Sequence, residues 1–120
     1  MSYESRIYIV DVQKVFENTY ARVLSVINYC SSMNYEFLKL FKTPIDYKIV
    51  IDGNTETDTD YYGDKIKSAD MGEMITWLEE EAKSSNYRRL IPLLYTLKGY
   101  RETENQWTNL QILHYGYQVK

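Results

Sequence analysis

Five side chains able to hold a hard cation recur at every second position: Asp52, Asn54, Glu56, Asp58 and Asp60. Oxygen ligands at such spacing are what a calcium loop supplies, but an EF-hand loop also needs Gly at its sixth position and Glu at its twelfth. Starting from Asp52, those places hold Thr57 and Gly63; from Asn54, Thr59 and Lys65; from Asp58, Gly63 and Ala69. Every register fails, so no metal site is expected. Paired carboxylates could also serve acid–base hydrolysis, which needs a desolvated cleft to raise one pKa. A Thr/Asp alternation beside the turn residues Asp52, Gly53 and Asn54 reads instead as a solvated loop or hairpin tip.

The remaining chemistry is thinner. The single cysteine, Cys30, and the single histidine, His114, lie far apart in sequence, and neither has a neighbour that would complete a zinc site or a nucleophile–base pair. The five glycines are isolated, so no phosphate-binding loop is present. The sequence therefore argues against an enzyme and implies no cofactor. One cysteine also excludes an internal disulfide and fits a reducing compartment. No leader-like or membrane-spanning apolar run is visible, so a soluble, cytoplasmic protein with no membrane partner is expected.

What stands out is charge. The thirty residues from 52 to 81 hold ten of the seventeen acids and only Lys65 and Lys67 as bases, a net of −8, while the whole chain is −3. A one-signed surface steers encounters with an oppositely charged partner. Carboxylates at regular spacing could occupy a basic groove that otherwise holds a phosphate backbone. The chain also has 13 Tyr against 3 Phe and 2 Trp. Tyr keeps a hydroxyl that wants water or a partner and is enriched at contact surfaces. The candidate partner-binding residues are thus Asp58, Asp60, Tyr61, Tyr62, Asp64, Glu79 and Glu80. The loop carboxylates Asp58, Asp60 and Asp64 are expected to be reversible to Lys without loss of stability. Arg88 and Arg89 could touch nucleic acid, but direct nucleic-acid binding is disfavoured by the acidic balance and by Arg at a helix start.

The elements that must carry these groups follow from periodicity. Residues 6–12, rich in Ile, Tyr and Val, predict a strand. Residues 20–29 permit a strand, with Ala21, Val23, Ser25 and Ile27 alternating, or a helix; their β-branched content favours the strand, with a hairpin turn at residues 16–19. Residues 35–42 predict a short helix capped by Asn34 and stopped by Thr43 and Pro44. Residues 45–51 predict a strand, and residues 61–67 a returning one. Asp70 and Glu73 form a capping box for a helix to about residue 83, with Met74, Ile75, Leu78 and Ala82 inward. A further helix is expected over residues 87–98, capped by Asn86, with Pro92 near its start and Gly99 ending it. Residues 107–117 predict a final strand. The 120 residues make one domain, α+β, with a mostly antiparallel sheet and two to three helices packed on one face.

Several stretches together resemble small accessory proteins of phages and prophages of low-GC Gram-positive bacteria. They are Tyr3, Glu4, Ser5 and Arg6 leading into residues 7–10; Tyr62, Gly63 and Asp64; Trp77, Leu78 and Glu79; Tyr87, Arg88 and Arg89 running into Ile91, Pro92 and Leu93; and His114, Tyr115, Gly116 and Tyr117. The resemblance covers most of the chain and brings no catalytic residues. It implies a protein that binds and blocks a host protein, and anti-CRISPR proteins are similar in size, acidity and lack of motifs. The expected partner is then a host defence protein, in its most concrete form a CRISPR effector nuclease. The alternative is an assembly accessory protein that self-associates or binds a virion partner through a Tyr-rich sheet.

Overall fold

The structure is a computed structural model that describes residues 2–29, 35–51, 53, 55–82, 85–102 and 109–119. Cys30, Asn34, Asp52 and Asn54, named above, lie outside these residues, as do position 83 and positions 107–108 of the predicted helix end and final strand. The chain is α+β, with strands predominating around a mostly antiparallel sheet.

The sheet is built outward from β1 (Ser2–Val15). It pairs antiparallel with β2 (Asn18–Tyr29) on one side and β7 (Leu110–Val119) on the other. Next to β7 lie β6 (Lys67–Ala69) and then β3 (Phe41–Pro44), both antiparallel. Next to β2 lies β4 (Lys48–Ile51), the one parallel neighbour among the described strands, followed by β5 (Thr55–Thr57). The order is β3-β6-β7-β1-β2-β4-β5.

Side chains alternate across a strand, so β1 feeds two cores. Ile7 and Ile9 join Ile112 of β7 and the helical side chains of α2 (Met71–Glu81) and α3 (Ile91–Arg101). Tyr8 and Val10 join Leu113, Ala21, Ile49 and Ile51 in a cluster built from strands and connections. The predicted alternation of Ala21, Val23, Ser25 and Ile27 does not keep to one face. The ladder shifts so that Val10 opposes Val23 while Ile9 opposes Ser25, leaving Leu24 as a bulge. Val23 thus packs with the second cluster and Ile27 with the first.

Residues 45–47, predicted as strand, instead connect β3 at one edge of the sheet to β4 near the other and contribute to the second core. Ile45 and Tyr47 are buried there, and the Tyr47 hydroxyl donates to Gln111 Oε1 at 2.6 Å. Burial, with Asp46 nearby, pushes that phenol above the ordinary tyrosine range.

Three helical boundaries also differ from expectation. The helix over residues 35–42 is only α1 (Tyr35–Leu38), because Phe41 is claimed by pairing with Ala69 and by its buried ring 5.4 Å from Phe37. Gly99 does not end α3. Leu97 is buried before it and Tyr100 after it reaches Ser25, hydroxyl to hydroxyl at 2.9 Å, so packing on both sides carries the helix to Arg101. The start of the helix predicted from residue 87 is a 3-10 turn, Ser85–Leu90, with Pro92 in the first turn of α3 proper. Of the predicted capping box the Asp70 half is seen: its Oδ1 accepts from Glu73 N at 2.8 Å. The Glu73 carboxylate accepts from Lys42 Nζ at 3.0 Å, tying α2 to β3.

The β1–β2 turn places Phe16 at φ 57 with its side chain 92% exposed. A left-handed backbone costs a non-glycine residue about 1–2 kcal/mol, and this ring has no packing to offset it. Phe16→Gly should therefore raise stability in urea by about 0.5–1 kcal/mol, against the usual direction for a substitution. A loss of stability would show that the ring is packed in solution.

Candidate functional site

The acidic loop is an ordered hairpin. Thr57 Oγ1 donates to Thr59 O at 2.8 Å and accepts from Thr59 N at 3.1 Å. Thr59 bridges to Lys65, and Ile66 N donates to Asp58 O at 3.0 Å. At the tip, Asp60 N donates to Asp64 O at 2.8 Å and Gly63 N to Asp60 O at 3.0 Å. Gly63 sits at φ 85, a conformation that glycine adopts without strain. Buried Ile66 anchors the returning arm, and Tyr61 N reaches Gly116 O of β7 at 3.3 Å.

Asp60 is the keystone of the turn. Its Oδ1 accepts from both Tyr62 N at 2.9 Å and Asp64 N at 3.0 Å, so its carboxylate is spent on its own backbone. Asp58 is ion-paired with Lys65 Nζ, and that hydrogen bond holds its carboxyl below the ordinary range. The expectation that Asp58, Asp60 and Asp64 are equivalent sites for reversal to Lys meets a geometry that sets them apart: Asp60 holds two backbone amides and Asp58 an exposed ion pair of small worth. Asp64 alone of the three is exposed with only its backbone in the hairpin's hydrogen bonds, among the described residues.

The turn projects Tyr61 and Tyr62, 52% and 42% exposed, with ring centroids 5.6 Å apart at 82°. Desolvation by its surroundings, with Asp60 and Tyr61 alongside, raises the Tyr62 phenol above its ordinary value. Five of the seven predicted residues are thus gathered on one hairpin. Glu79 and Glu80 are not with them: they are exposed on α2, where Glu79 lines a separate cleft of about 290 Å³ with Tyr95 and Lys98. Sequence reasoning missed the roles of Lys65 and Asp60. The signal was present in Asp60-Tyr-Tyr-Gly63, with Asp opening a turn and Gly closing it.

Beside the hairpin lies a cleft of about 470 Å³, lined by Asp60, Asp64, Lys65, Lys67, Leu38, Phe41 and His114. Its charges are balanced, two acids against two lysines. The His114 ring lies 5.6 Å from that of Phe41, tilted by 47°, and burial pushes its imidazole down to about 4, so it is neutral at pH 7. Among the described residues, no group of three His, Cys, Asp or Glu is placed to hold a metal ion, and no helix is long and apolar enough to cross a membrane. Comparison with protein-family models, with curated proteins and with solved structures finds no match to this chain.

Two measurements check this geometry. Asp60→Ala should destabilise the protein by about 1 kcal/mol by removing the acceptor that two turn amides share, while Asp64→Lys should change stability by less than about 0.5 kcal/mol. Equal effects would refute the division of labour between the two carboxylates. His114 should titrate by NMR near pH 4 rather than 6.5. Because the folded pKa is the lower one, its contribution is fully present above pH 6.5 and is lost as pH falls through 4. Allowing for partial exposure, that loss is of order 2 kcal/mol, and His114→Gln should flatten it.

Proposed function

We propose that this is a non-enzymatic binding protein that docks the tyrosine-bearing acidic hairpin onto a basic surface of a host protein. One observation carries the reading: Asp60 binds the hairpin's own amides and so fixes Tyr61, Tyr62 and Asp64 in place before any partner arrives. Paired exposed aromatics on a preorganised turn are effective anchors, because little side-chain or loop entropy is lost on docking. Asp64 supplies rim charge, which steers encounter more than it adds affinity.

The basic surface that suits such a hairpin is one built for nucleic acid, and the phage resemblance narrows it to a host defence nuclease, such as a CRISPR effector. The carboxylates are not a phosphate-like row in this reading. Asp58 is neutralised by Lys65 and Asp60 faces its own turn, so the tyrosines carry the contact and Asp64 orients it. Glu79 and Glu80 provide a second, separate contact on α2. The helices packed on one face of the sheet are the scaffold rather than the site.

The test is affinity capture from nuclease-treated lysate of a Gram-positive host, run with the native chain, with Tyr61→Ser/Tyr62→Ser and with Asp64→Lys. The native chain should retain a nucleic-acid-binding enzyme that heparin displaces. The double tyrosine variant should lose it by more than about tenfold, while its melting temperature stays within about 3 °C of the native value. Undiminished capture by the tyrosine variant would contradict the proposal.

A further inference from the structure

The β1–β2 turn carries the most exposed large apolar side chain among the described residues. Phe16 is 92% exposed on a backbone at φ 57. A bulky residue in that left-handed region is a true outlier, and such strain persists where something beyond the local backbone maintains it. Packing does not maintain it here, because the ring belongs to neither hydrophobic core. A role outside the fold is left.

Beside the ring lies a cleft of about 530 Å³, a volume typical of ligand sites. Phe16 of the turn, Tyr20 of β2, Asp46 and Lys48 around the start of β4, and Glu56 of β5 line it. The sheet fixes these elements together: Tyr20 pairs with Lys48, and Val50 of the same strand pairs with Glu56.

Rings and carboxylates share one preference. The face of an aromatic ring attracts a cation, and an unpaired carboxylate does so more strongly. Neither Asp46 nor Glu56 has an ion-pair partner among the described residues. Lys48 has an acid of its own, since it lies close enough to Asp58 to help hold that carboxyl below its ordinary range. The same two carboxylates repel a phosphate backbone or an anionic lipid headgroup.

We propose that this cleft takes an arginine side chain presented by a partner polypeptide, with the guanidinium over the Phe16 ring and its N–H groups on the carboxylates of Asp46 and Glu56. Arginine suits the lining better than lysine. Its planar cation stacks on a ring while its edge donates to carboxylates, whereas an ammonium is compact and strongly hydrated. A peptide suits it better than free arginine, whose own carboxylate would add a third negative charge. The inference goes beyond the docking of the acidic hairpin. It uses none of Tyr61, Tyr62 or Asp64, so either reading can fail while the other stands.

NMR titration of the full chain, followed at residues 16, 20, 46 and 56, tests this. The probes are the blocked peptide acetyl-Gly-Arg-Gly-amide, its lysine and citrulline counterparts, and free arginine. Citrulline keeps the shape of the arginine side chain and removes its charge. The arginine peptide should give saturable shifts at these residues, with the citrulline peptide at least about tenfold weaker and the lysine peptide and free arginine also weaker. Phe16→Gly and Glu56→Gln alter exposed positions, so both should stay folded, and each should weaken the arginine peptide about threefold to fivefold. Absence of saturable shifts up to about 10 mM peptide would overturn the proposal. So would a citrulline or lysine peptide that binds as tightly, or unchanged binding by Phe16→Gly. Free arginine binding as tightly as the peptide would overturn the assignment to a polypeptide.

Discussion

Residues 7–10 of β1 must satisfy two hydrophobic cores and two hydrogen-bonded ladders at once. All four side chains are buried, Ile7 and Ile9 toward the helical cluster, Tyr8 and Val10 toward the strand-built one, while the backbone pairs with β2 and β7. A strand buried on both faces cannot slip by one residue without moving apolar side chains from one core to the other. The rest of the molecule is registered against it. β7 is held by β1, β6 by β7, and the acidic hairpin is strung between β5 and β6 with Gly116 of β7 as its lateral support. The tyrosines at the tip thus inherit their position from the register of a core strand.

That chain of support changes the meaning of the acidic segment. A net of −8 over thirty residues suggests a one-signed surface, yet the fold gives several of these acids internal tasks. Asp58 pairs with Lys65, Asp60 holds two amides, Asp70 caps α2 and Glu73 meets Lys42. Glu56, Asp64, Glu79 and Glu80 are exposed, but the last two sit on a helix away from the hairpin. Charge counted along a sequence window is therefore a poor guide to the field outside the protein. The exposed feature with defined geometry is the Tyr61–Tyr62 pair.

Signals that act within a few residues were legible in the sequence. The Asp70 cap, the inner face Met74, Ile75 and Leu78, and the β-branched run of β1 all follow from local rules and hold in the structure. The last strand was likewise readable, and its alternation puts Ile112 in one cluster and Leu113 in the other. What was not legible depends on distant partners. Phe41 looks helical until Ala69 pairs with it, and Gly99 looks like a stop until Leu97 and Tyr100 pack around it. The Leu24 bulge is invisible because the alternation continues through it in sequence while the faces exchange in space. In the candidate site the residues were found but two roles were not, since an acid that binds its own turn looks, in sequence, like an acid that faces a partner.

The central claim is that the hairpin is built before it binds. Amide hydrogen exchange on the unbound protein tests this most directly, read at Tyr62 and Asp64, whose N–H groups both end on Asp60 Oδ1. The account predicts exchange at these two amides at least about tenfold slower than in an open chain, with Asp60→Ala returning both to the open-chain rate. Open-chain rates in the native protein would mean that the tyrosines are not preorganised, and the reading of the hairpin as a docking anchor would fail with them.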